Sequence, residues 1–250
     1  MTIGRQIYGV HATDGTDSAG VNIRYWLPPV PATQLVIYCH QLGATEQIAT
    51  NYWAYPMIHA AVQNGSMVVA SRAHSDNWGN DASITDVVNA YNFMNAINPV
   101  SSVVLVGASM GGLDALLVAA KGSLPAGKLK GVYLVDAVTD LSWAYTATAA
   151  GTPNAFQSSI NAAYGVASFA AIPAGHDPRN SFAASAYAGL RLRFFASTAD
   201  TTVDKASNTD AFRTFISGTA TESALVTHNP SGHTQTSNGK DLTAFLTRCV

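Results

Sequence analysis

The stretch VVLVGASMGG, Val103 to Gly112, carries the strongest structural signal in the chain. Its apolar start predicts a buried strand, and the apolar run LDALLVAA that follows predicts a helix. Gly107, Ser109 and Gly111 match G-x-S-x-G, in which a serine lies on a sharp strand-to-helix turn. Side chains two positions before or after that serine would collide, and glycine avoids the collisions. The helix also directs its N-terminal amides at the serine, so we predict Ser109 as a nucleophile.

Apolar runs and helical patterns alternate on both sides of this stretch. Strands are predicted at QIYGVHA (6–12), VNIRYWLP (21–28), QLVIYCH (34–40), SMVVASRAH (66–74), SSVVLVG (101–107), LKGVYLVDAV (129–138), LRLRFFAST (190–198) and SALVTHNP (223–230). Helices are predicted near 46–63, 83–97, 110–121, 204–216 and 239–247. The first two strands are expected to form a hairpin around the turn DGTDSAG. The alternation predicts an α/β fold with a mostly parallel sheet wrapped by helices.

Residues 139–189 interrupt this alternation with scattered aromatic residues among Ala, Ser, Thr and Gly. A structureless connection of that length is uncommon in a compact domain, so we predict a helical insertion. The chain shows no internal repeat, low-complexity tail or linker, and residues 1–250 are therefore predicted to form one domain with this insertion as a cap. An Ala-rich cap bearing Trp143 would suit an apolar acyl group.

Composition excludes several classes of partner. Charged residues make up only 11% of the chain and the net charge is −2, with no run of Lys or Arg, which argues against nucleic-acid binding. No apolar stretch approaches the length of a membrane span. The start, MTIGRQIYGVHATDG, lacks the apolar core of a signal peptide, which favours the cytoplasm by default and leaves a processed secreted protein or a virion component as alternatives. Cys39 is expected to be a small buried hydrophobe, and a disulfide with Cys249 is not favoured.

A nucleophilic serine needs a base, and the base needs an orienting acid. His233 lies in PSGHT, a loop between the last predicted strand and the last helix, from which an imidazole can reach back across the sheet to Ser109. His176, in the HDPRN segment of the insertion, is the nearest rival. We predict His233 as the base.

Asp200 is the leading candidate for the acid, because it directly follows an apolar strand and precedes a helix. Asp136 follows the strand before that one and is an alternative position for the acid. Asp204 and Asp140 are further alternatives, although Asp204 is better placed to cap the helix that follows it. A carboxylate in this position fixes the imidazole tautomer and stabilises the imidazolium.

The segments GASMGG, CHQLGAT, STADTTV and SGH, in this order and spacing, resemble those of the α/β-hydrolase superfamily. The resemblance covers essentially the whole chain. It implies a mostly parallel sheet of about eight strands flanked by helices, with an insertion after the sixth strand. It also implies Ser109, Asp200 and His233 as nucleophile, acid and base of a serine esterase that needs no cofactor.

The loop after the third strand departs from the family's usual His-Gly-x pattern. The chain has His40, Gln41, Leu42 and Gly43, so Gln stands where Gly is usual, and Gln tolerates a positive φ poorly. By position, the amides of Leu42 and Met110 are expected to form the oxyanion hole. Gln41 either contacts substrate through its amide or is simply tolerated, and His40 is expected to be structural.

The loop HSDNWGND, residues 74–81, offers one histidine and two carboxylates, which raises the question of a metal site. Its place between a strand and a helix favours Asx turns instead, with Asp81 or Ser83 as the helix N-cap, and we predict no metal. Trp78 is a candidate for lining the substrate cleft.

The sequence therefore predicts a serine hydrolase that cleaves a small-molecule carboxylic ester through an acyl-enzyme. Amide or peptide cleavage and acyl transfer remain alternatives that use the same three residues. A catalytically silent member of the fold, serving as a binding or structural component, is the alternative from another class.

Overall fold

The computed structural model describes residues 11–48, 54–228, 232–234 and 238–250. Eight strands form one sheet: β1 (Ala12–Thr16), β2 (Asn22–Trp26), β3 (Gln34–Cys39), β4 (Met67–Ser71), β5 (Ser102–Ala108), β6 (Leu129–Val135), β7 (Arg191–Ser197) and β8 (Glu222–His228). Their order across the sheet is β1-β2-β4-β3-β5-β6-β7-β8. Strand β2 pairs antiparallel with both its neighbours, and all pairs from β4 to β8 are parallel. This sheet confirms the predicted fold class.

Helices cover both faces of the sheet. They are α1 (Tyr55–Gln63), α2 (Asp81–Ile97), α3 (Gly111–Ala120), α4 (Leu141–Thr146), α5 (Gln157–Tyr164), α6 (Ala211–Phe215) and α7 (Gly239–Leu246). None of the helices within the described ranges is both long and apolar enough to cross a membrane.

Two apolar cores lie on opposite faces of the sheet because successive strand residues alternate between the faces. Val36 and Val104 belong to the core under α1 and α7, which pack against each other. Leu35 and Leu105 belong to the core under α2, α3 and the segment between β6 and β7. Since both faces are covered, the central strands are almost continuously apolar, as in parallel sheets generally.

The segment between β6 and β7 is the predicted helical insertion after the sixth strand. It contains α4, α5 and two short 3-10 turns at Phe169–Ala171 and Ala184–Tyr187. Asp140 begins α4 by accepting a hydrogen bond from the Trp143 amide at 2.8 Å. Whether this segment acts as a cap on one domain stays a prediction.

The first hairpin differs from its prediction. Strand β1 begins at Ala12 and runs to Thr16, inside the segment predicted as a turn, while residues 6–10 of the predicted strand lie outside the described residues. The turn itself is shorter. Asp17 closes it by accepting hydrogen bonds from the amides of Ala19 at 2.8 Å and Val21 at 2.9 Å.

The start of α1 and the N-cap of α2 were predicted wrongly, whereas the helix predicted at 204–216 is present within two residues of its predicted ends. Glu46 and Gln47 form a turn, and α1 begins at Tyr55 because Pro56, which has no N–H, fits only the first turn of a helix. Residues 49–53 of that predicted helix lie outside the described residues. The helix predicted at 204–216 is a π-helical turn, Ala206–Asp210, followed by the short α6. The N-cap of α2 is Asn80, whose side chain accepts from the Ser83 amide at 2.9 Å, rather than Asp81 or Ser83.

Cysteine chemistry follows the sequence prediction. Cys39 and Cys249 are both buried free thiols. Burial raises the pKa of the Cys39 thiol well above its usual value, which suits a small hydrophobic side chain in the core.

Candidate active site

Ser109 lies at the turn where β5 meets α3. Its backbone adopts a φ of 49°, in the left-handed region, and its amide donates to the Val135 carbonyl of β6 at 3.0 Å. A Cβ at Gly107 would lie 2.6 Å from the Gly111 carbonyl oxygen, and a Cβ at Gly111 would lie 2.7 Å from the His40 carbonyl oxygen. Only glycine fits these two positions, because α3 begins directly against the ends of β3 and β5.

His233 and Asp200 reach Ser109 from the loops that follow β8 and β7. The Nε2 atom of His233 lies 2.8 Å from Ser109 Oγ, and its Nδ1 atom lies 2.7 Å from Asp200 Oδ2. Parallel strands end at the same edge of the sheet, and the chain therefore brings residues 109, 200 and 233 together at that edge. These three are the residues that the sequence analysis singled out.

The Asp200 carboxylate is held by its own loop. Its side chain is 1% exposed, and Oδ1 accepts hydrogen bonds from the amides of Thr202 at 2.8 Å and Val203 at 3.0 Å. With the Asp200 carboxylate as acceptor, His233 Nδ1 donates to Asp200 and Nε2 accepts a hydrogen bond from the Ser109 hydroxyl.

The rival residues have other partners. His176 binds the Pro173 carbonyl and Asp81, both at 3.0 Å. Asp204 caps the following turn by accepting from the Ser207 amide at 2.7 Å. Asp140 caps α4. None of these contacts is with Ser109 or His233.

Asp136 lies beside the three residues. A ligand-type atom from each of Asp136, Asp200 and His233 falls within 4.8 Å of the others, and this is the one such group among the described residues that could hold a metal ion. Their oxygen atoms already accept hydrogen bonds from protein amides and from His233. The side chains of the 74–81 loop have separate partners, since His74 binds Asp86 and Asp81 binds His176 and Lys121.

The loop after β3 places its positive φ at Gly43, at 73°, rather than at Gln41. Glutamine at position 41 is therefore compatible with the backbone, which answers the question raised by its departure from the family pattern. His40 is 1% exposed and its ring nitrogens lie 2.9 Å from the Gln41 carbonyl and 3.0 Å from the Arg72 carbonyl. His40 thus ties this loop to the end of β4, as expected of a structural residue.

Two backbone amides near Ser109 have no acceptor in the part of the chain that the structure describes. Within the described ranges, no hydrogen bond is recorded from the amides of Leu42 or Met110. The Gln41 Oε1 atom is also buried and has no partner among these residues. The next amide, that of Gly43, donates to Asp76 Oδ1 at 2.6 Å and so anchors the loop to the turn after β4.

A buried carboxylate lies in the first turn of α3. Burial raises the pKa of Asp114 to about 6, while the Ser83 hydroxyl, 2.6 Å from Oδ1, and the charge of His40 lower it. Burial therefore disfavours the charged form of Asp114, five residues after Ser109 in the chain. Sequence reasoning missed this residue, because an aspartate in the first turn of a helix usually signals only the helix dipole.

The aromatic candidates make contacts within the protein. Trp78 is 1% exposed, packs against Phe156 at 5.2 Å and donates its indole N–H to Ser159 Oγ at 2.8 Å. Trp143 is half-buried in α4. Contacts of either residue with substrate stay predictions.

Comparison with known proteins supports the fold. No protein-family model and no curated protein matches the sequence. Among solved structures, an acylaminoacyl peptidase of Pyrococcus horikoshii superposes with a TM-score of 0.70 at 11% identity over 91% of this chain, which spans only 38% of that peptidase. An esterase of Pyrococcus furiosus gives 0.68 at 16% identity, with 96% and 93% of the two chains covered.

A third structure is similar over its whole length. The fluorophosphonate-binding serine hydrolase F of Staphylococcus aureus, with substrate bound, gives a TM-score of 0.68 at 14% identity, and 96% of this chain covers 97% of that one. Together with the strand order, these structures show that the chain has the α/β-hydrolase fold.

Proposed function

We propose that this α/β-hydrolase-fold protein is a serine hydrolase that cleaves carboxylic esters through an acyl-enzyme. The observation that carries the proposal is the hydrogen-bonded chain from Asp200 through His233 to Ser109, with bonds of 2.7 and 2.8 Å. The strained backbone at Ser109 adds support, because left-handed backbone at non-glycine residues is concentrated at functional sites.

In the acylation step, His233 Nε2 takes the hydroxyl proton as Ser109 Oγ attacks the ester carbonyl carbon. The carbonyl electron pair moves onto oxygen, and the amides of Leu42 and Met110 stabilise the resulting oxyanion. When the tetrahedral intermediate collapses, the C–O bond to the alcohol breaks and His233 returns its proton to the leaving oxygen. Asp200 stabilises the imidazolium throughout.

In the deacylation step, water replaces the alcohol. His233 takes a proton from the water as its oxygen attacks the acyl carbon, and a second tetrahedral intermediate forms in the same oxyanion hole. Its collapse breaks the bond between the acyl carbon and Ser109 Oγ, His233 returns its proton to Oγ, and the carboxylic acid is released. Both steps use the three side chains, the two main-chain amides and water.

Substrate contacts are proposed for Gln41, Trp78 and Trp143. Gln41 is the best supported of these. It lies next to Leu42 in the loop after β3, and its Oε1 atom is buried and lacks a partner among the described residues. An alcohol or amide donor on the substrate would satisfy it.

Peptide or amide cleavage is the second candidate, and the likeness to an acylaminoacyl peptidase favours it. The ester reaction leads because an alkoxide leaves more readily than an amine. Acyl transfer to an alcohol uses the same acyl-enzyme and differs only in the acceptor.

The experiment combines labelling with turnover. A fluorophosphonate probe is expected to label wild-type protein once, at Ser109, and a short-chain p-nitrophenyl ester to be hydrolysed. Ser109→Ala should abolish labelling and lower kcat/KM by about three powers of ten or more. Ser101→Ala, an exposed serine at the other end of β5, is the matched control and should behave as wild type.

The same assay separates the alternatives. Faster turnover of a p-nitroanilide than of the matching p-nitrophenyl ester would favour the amidase. A wild-type protein that neither reacts with the probe nor hydrolyses esters would be a silent member of the fold.

A further inference from the structure

We propose that Asp136 is a positioning residue for the His233 base, an inference that rests on the proposed function. Asp136 follows β6 directly, and its side chain is 1% exposed. Asp200, the proposed acid, lies in the loop after β7, which is the strand next to β6 in the sheet. The Asp136 carboxylate joins the two loops that carry the other members of the Ser109 site.

The two oxygen atoms of Asp136 have different partners. Oδ1 accepts from the Ser197 amide at 2.7 Å, at the end of β7 and three residues before Asp200. Oδ2 accepts from the Thr234 amide at 2.9 Å, directly after His233. One carboxylate thus connects the loop of the acid to the turn of the base.

Both residues of the Asp136–Thr234 hydrogen bond have a strained backbone. Asp136 has a φ of 40° and Thr234 a φ of 43°. Such conformations persist when surrounding contacts hold them, and the bond between the two residues is such a contact. Loss of that bond frees the Thr234 turn to relax, which displaces the His233 ring from Ser109.

The charge of Asp136 acts in the same direction. A carboxylate this close to an imidazole in a buried site stabilises the imidazolium that forms during attack. Within the described ranges, the titratable side chains recorded against Asp136 or His233 are Asp200 and His228, and the His228 Nε2 atom lies 3.5 Å from Asp136 Oδ1. The imidazole ring of His228 stacks on Phe195 at 4.3 Å.

Asp136→Asn is the principal test, in the full chain. Asparagine has the same shape as aspartate and tolerates positive φ. It has no negative charge, however, and its NH₂ group would face one of the two main-chain N–H groups that Asp136 now accepts from. We expect kcat for a p-nitrophenyl ester to fall about tenfold to a hundredfold with KM within about twofold, because small displacements of a base act on the transition state. The acid limb of the kcat/KM profile should move to lower pH, since removing a negative charge disfavours the imidazolium.

Asp17→Asn is the matched control. Asp17 is also a buried aspartate that accepts two main-chain amide bonds, but it lies in the β1–β2 hairpin at the opposite edge of the sheet. Its variant should keep the wild-type kcat and pH profile. Asp136→Gly serves as a second variant, because glycine accepts the same φ without strain, and it should lose at least as much kcat as the Asn variant.

The outcomes are decisive. Wild-type kcat and an unmoved acid limb in a folded Asp136→Asn variant would overturn the proposal. Unfolding of both Asp136 variants would also overturn it, because the carboxylate would then serve the fold rather than the base. Failure of the proposed function is distinguished by the wild-type protein itself, which would then lack ester turnover and fluorophosphonate labelling.

Discussion

The turns after two neighbouring strands both contain a non-glycine residue with left-handed backbone, but only one of the two is flanked by glycines. Ser109 follows β5 and Asp136 follows β6, with φ angles of 49° and 40°. Each amide donates to the next strand, Ser109 to Val135 at 3.0 Å and Asp136 to Phe195 at 2.9 Å. The first turn is surrounded by glycines, whereas the second has none within two residues on either side.

The difference lies in how the strain is accommodated. At Ser109, absent side chains let α3 approach the strand ends, and the serine hydroxyl is left for His233. At Asp136, the side chain itself holds the turn by binding two main-chain amides. The first arrangement directs the Ser109 hydroxyl to His233, and the second connects neighbouring loops.

The largest expected effect comes from closing the space at the first turn. In Gly111→Ala, the new Cβ would meet the carbonyl oxygens of Cys39 and His40, which belong to rigid backbone. We expect a loss of about 3 kcal/mol in the free energy of unfolding and a fall in kcat of about a hundredfold or more. Urea unfolding and ester turnover measure the two effects.

Gly15→Ala is the control for this change. Its Cβ would meet only side-chain atoms, the nearest at 3.4 Å in Phe93, so stability and activity should stay near wild type. Equal behaviour of the two alanine variants would show that close approach at Gly111 is not required.

The second prediction compares the effect of a glycine substitution on stability in the two turns. Ser109→Gly relieves the left-handed strain and should be more stable than Ser109→Ala by about 1 kcal/mol. Asp136→Gly relieves similar strain but leaves the Ser197 and Thr234 amides without an acceptor, so it should be less stable than wild type by about 2 kcal/mol. Thermal unfolding of the wild type and the three variants measures both differences, and an Asp136→Gly variant more stable than the wild type would contradict the comparison.

The smallest effect is expected at a third strand end, in the loop after β3 that carries Leu42, one of the two proposed oxyanion-hole residues. Asp76→Ala removes the acceptor that holds the Gly43 amide at 2.6 Å. In the proposed mechanism the neighbouring Leu42 amide acts on the oxyanion only as it forms, so kcat should fall about tenfold while KM stays within about twofold. Steady-state kinetics on a short-chain ester provides the measurement.

Asp14→Ala is the matched control, since Asp14 is also exposed and pairs with Arg24 in the β1–β2 hairpin. It should leave kcat unchanged. A raised KM with unchanged kcat in Asp76→Ala would assign Asp76 to ground-state binding instead.

Much of the fold was predictable because its signals are local. The strands β3 to β6 are continuous apolar runs, and G-x-S-x-G marks the turn after β5. The start of α1 was predicted too early. A proline such as Pro56 occurs in loops as well as in the first turn of a helix, so it did not identify the start of α1 by itself. The first strand was predicted to end too early, because the short turn at Asp17 depends on side-chain hydrogen bonds that the sequence does not reveal.

The sequence by itself determined the order of the elements, the glycine-lined turn at Ser109, and Asp200 and His233 as its candidate partners. These follow from hydrophobic period, turn chemistry and the sites where strands end. Only the tertiary structure decided that residues 109, 200 and 233 meet, that Gly43 rather than Gln41 takes the positive φ, and that Asp136 bridges two loops. Hydrogen bonds between residues about a hundred positions apart depend on how the strands pair across the sheet, and no local pattern encodes that pairing.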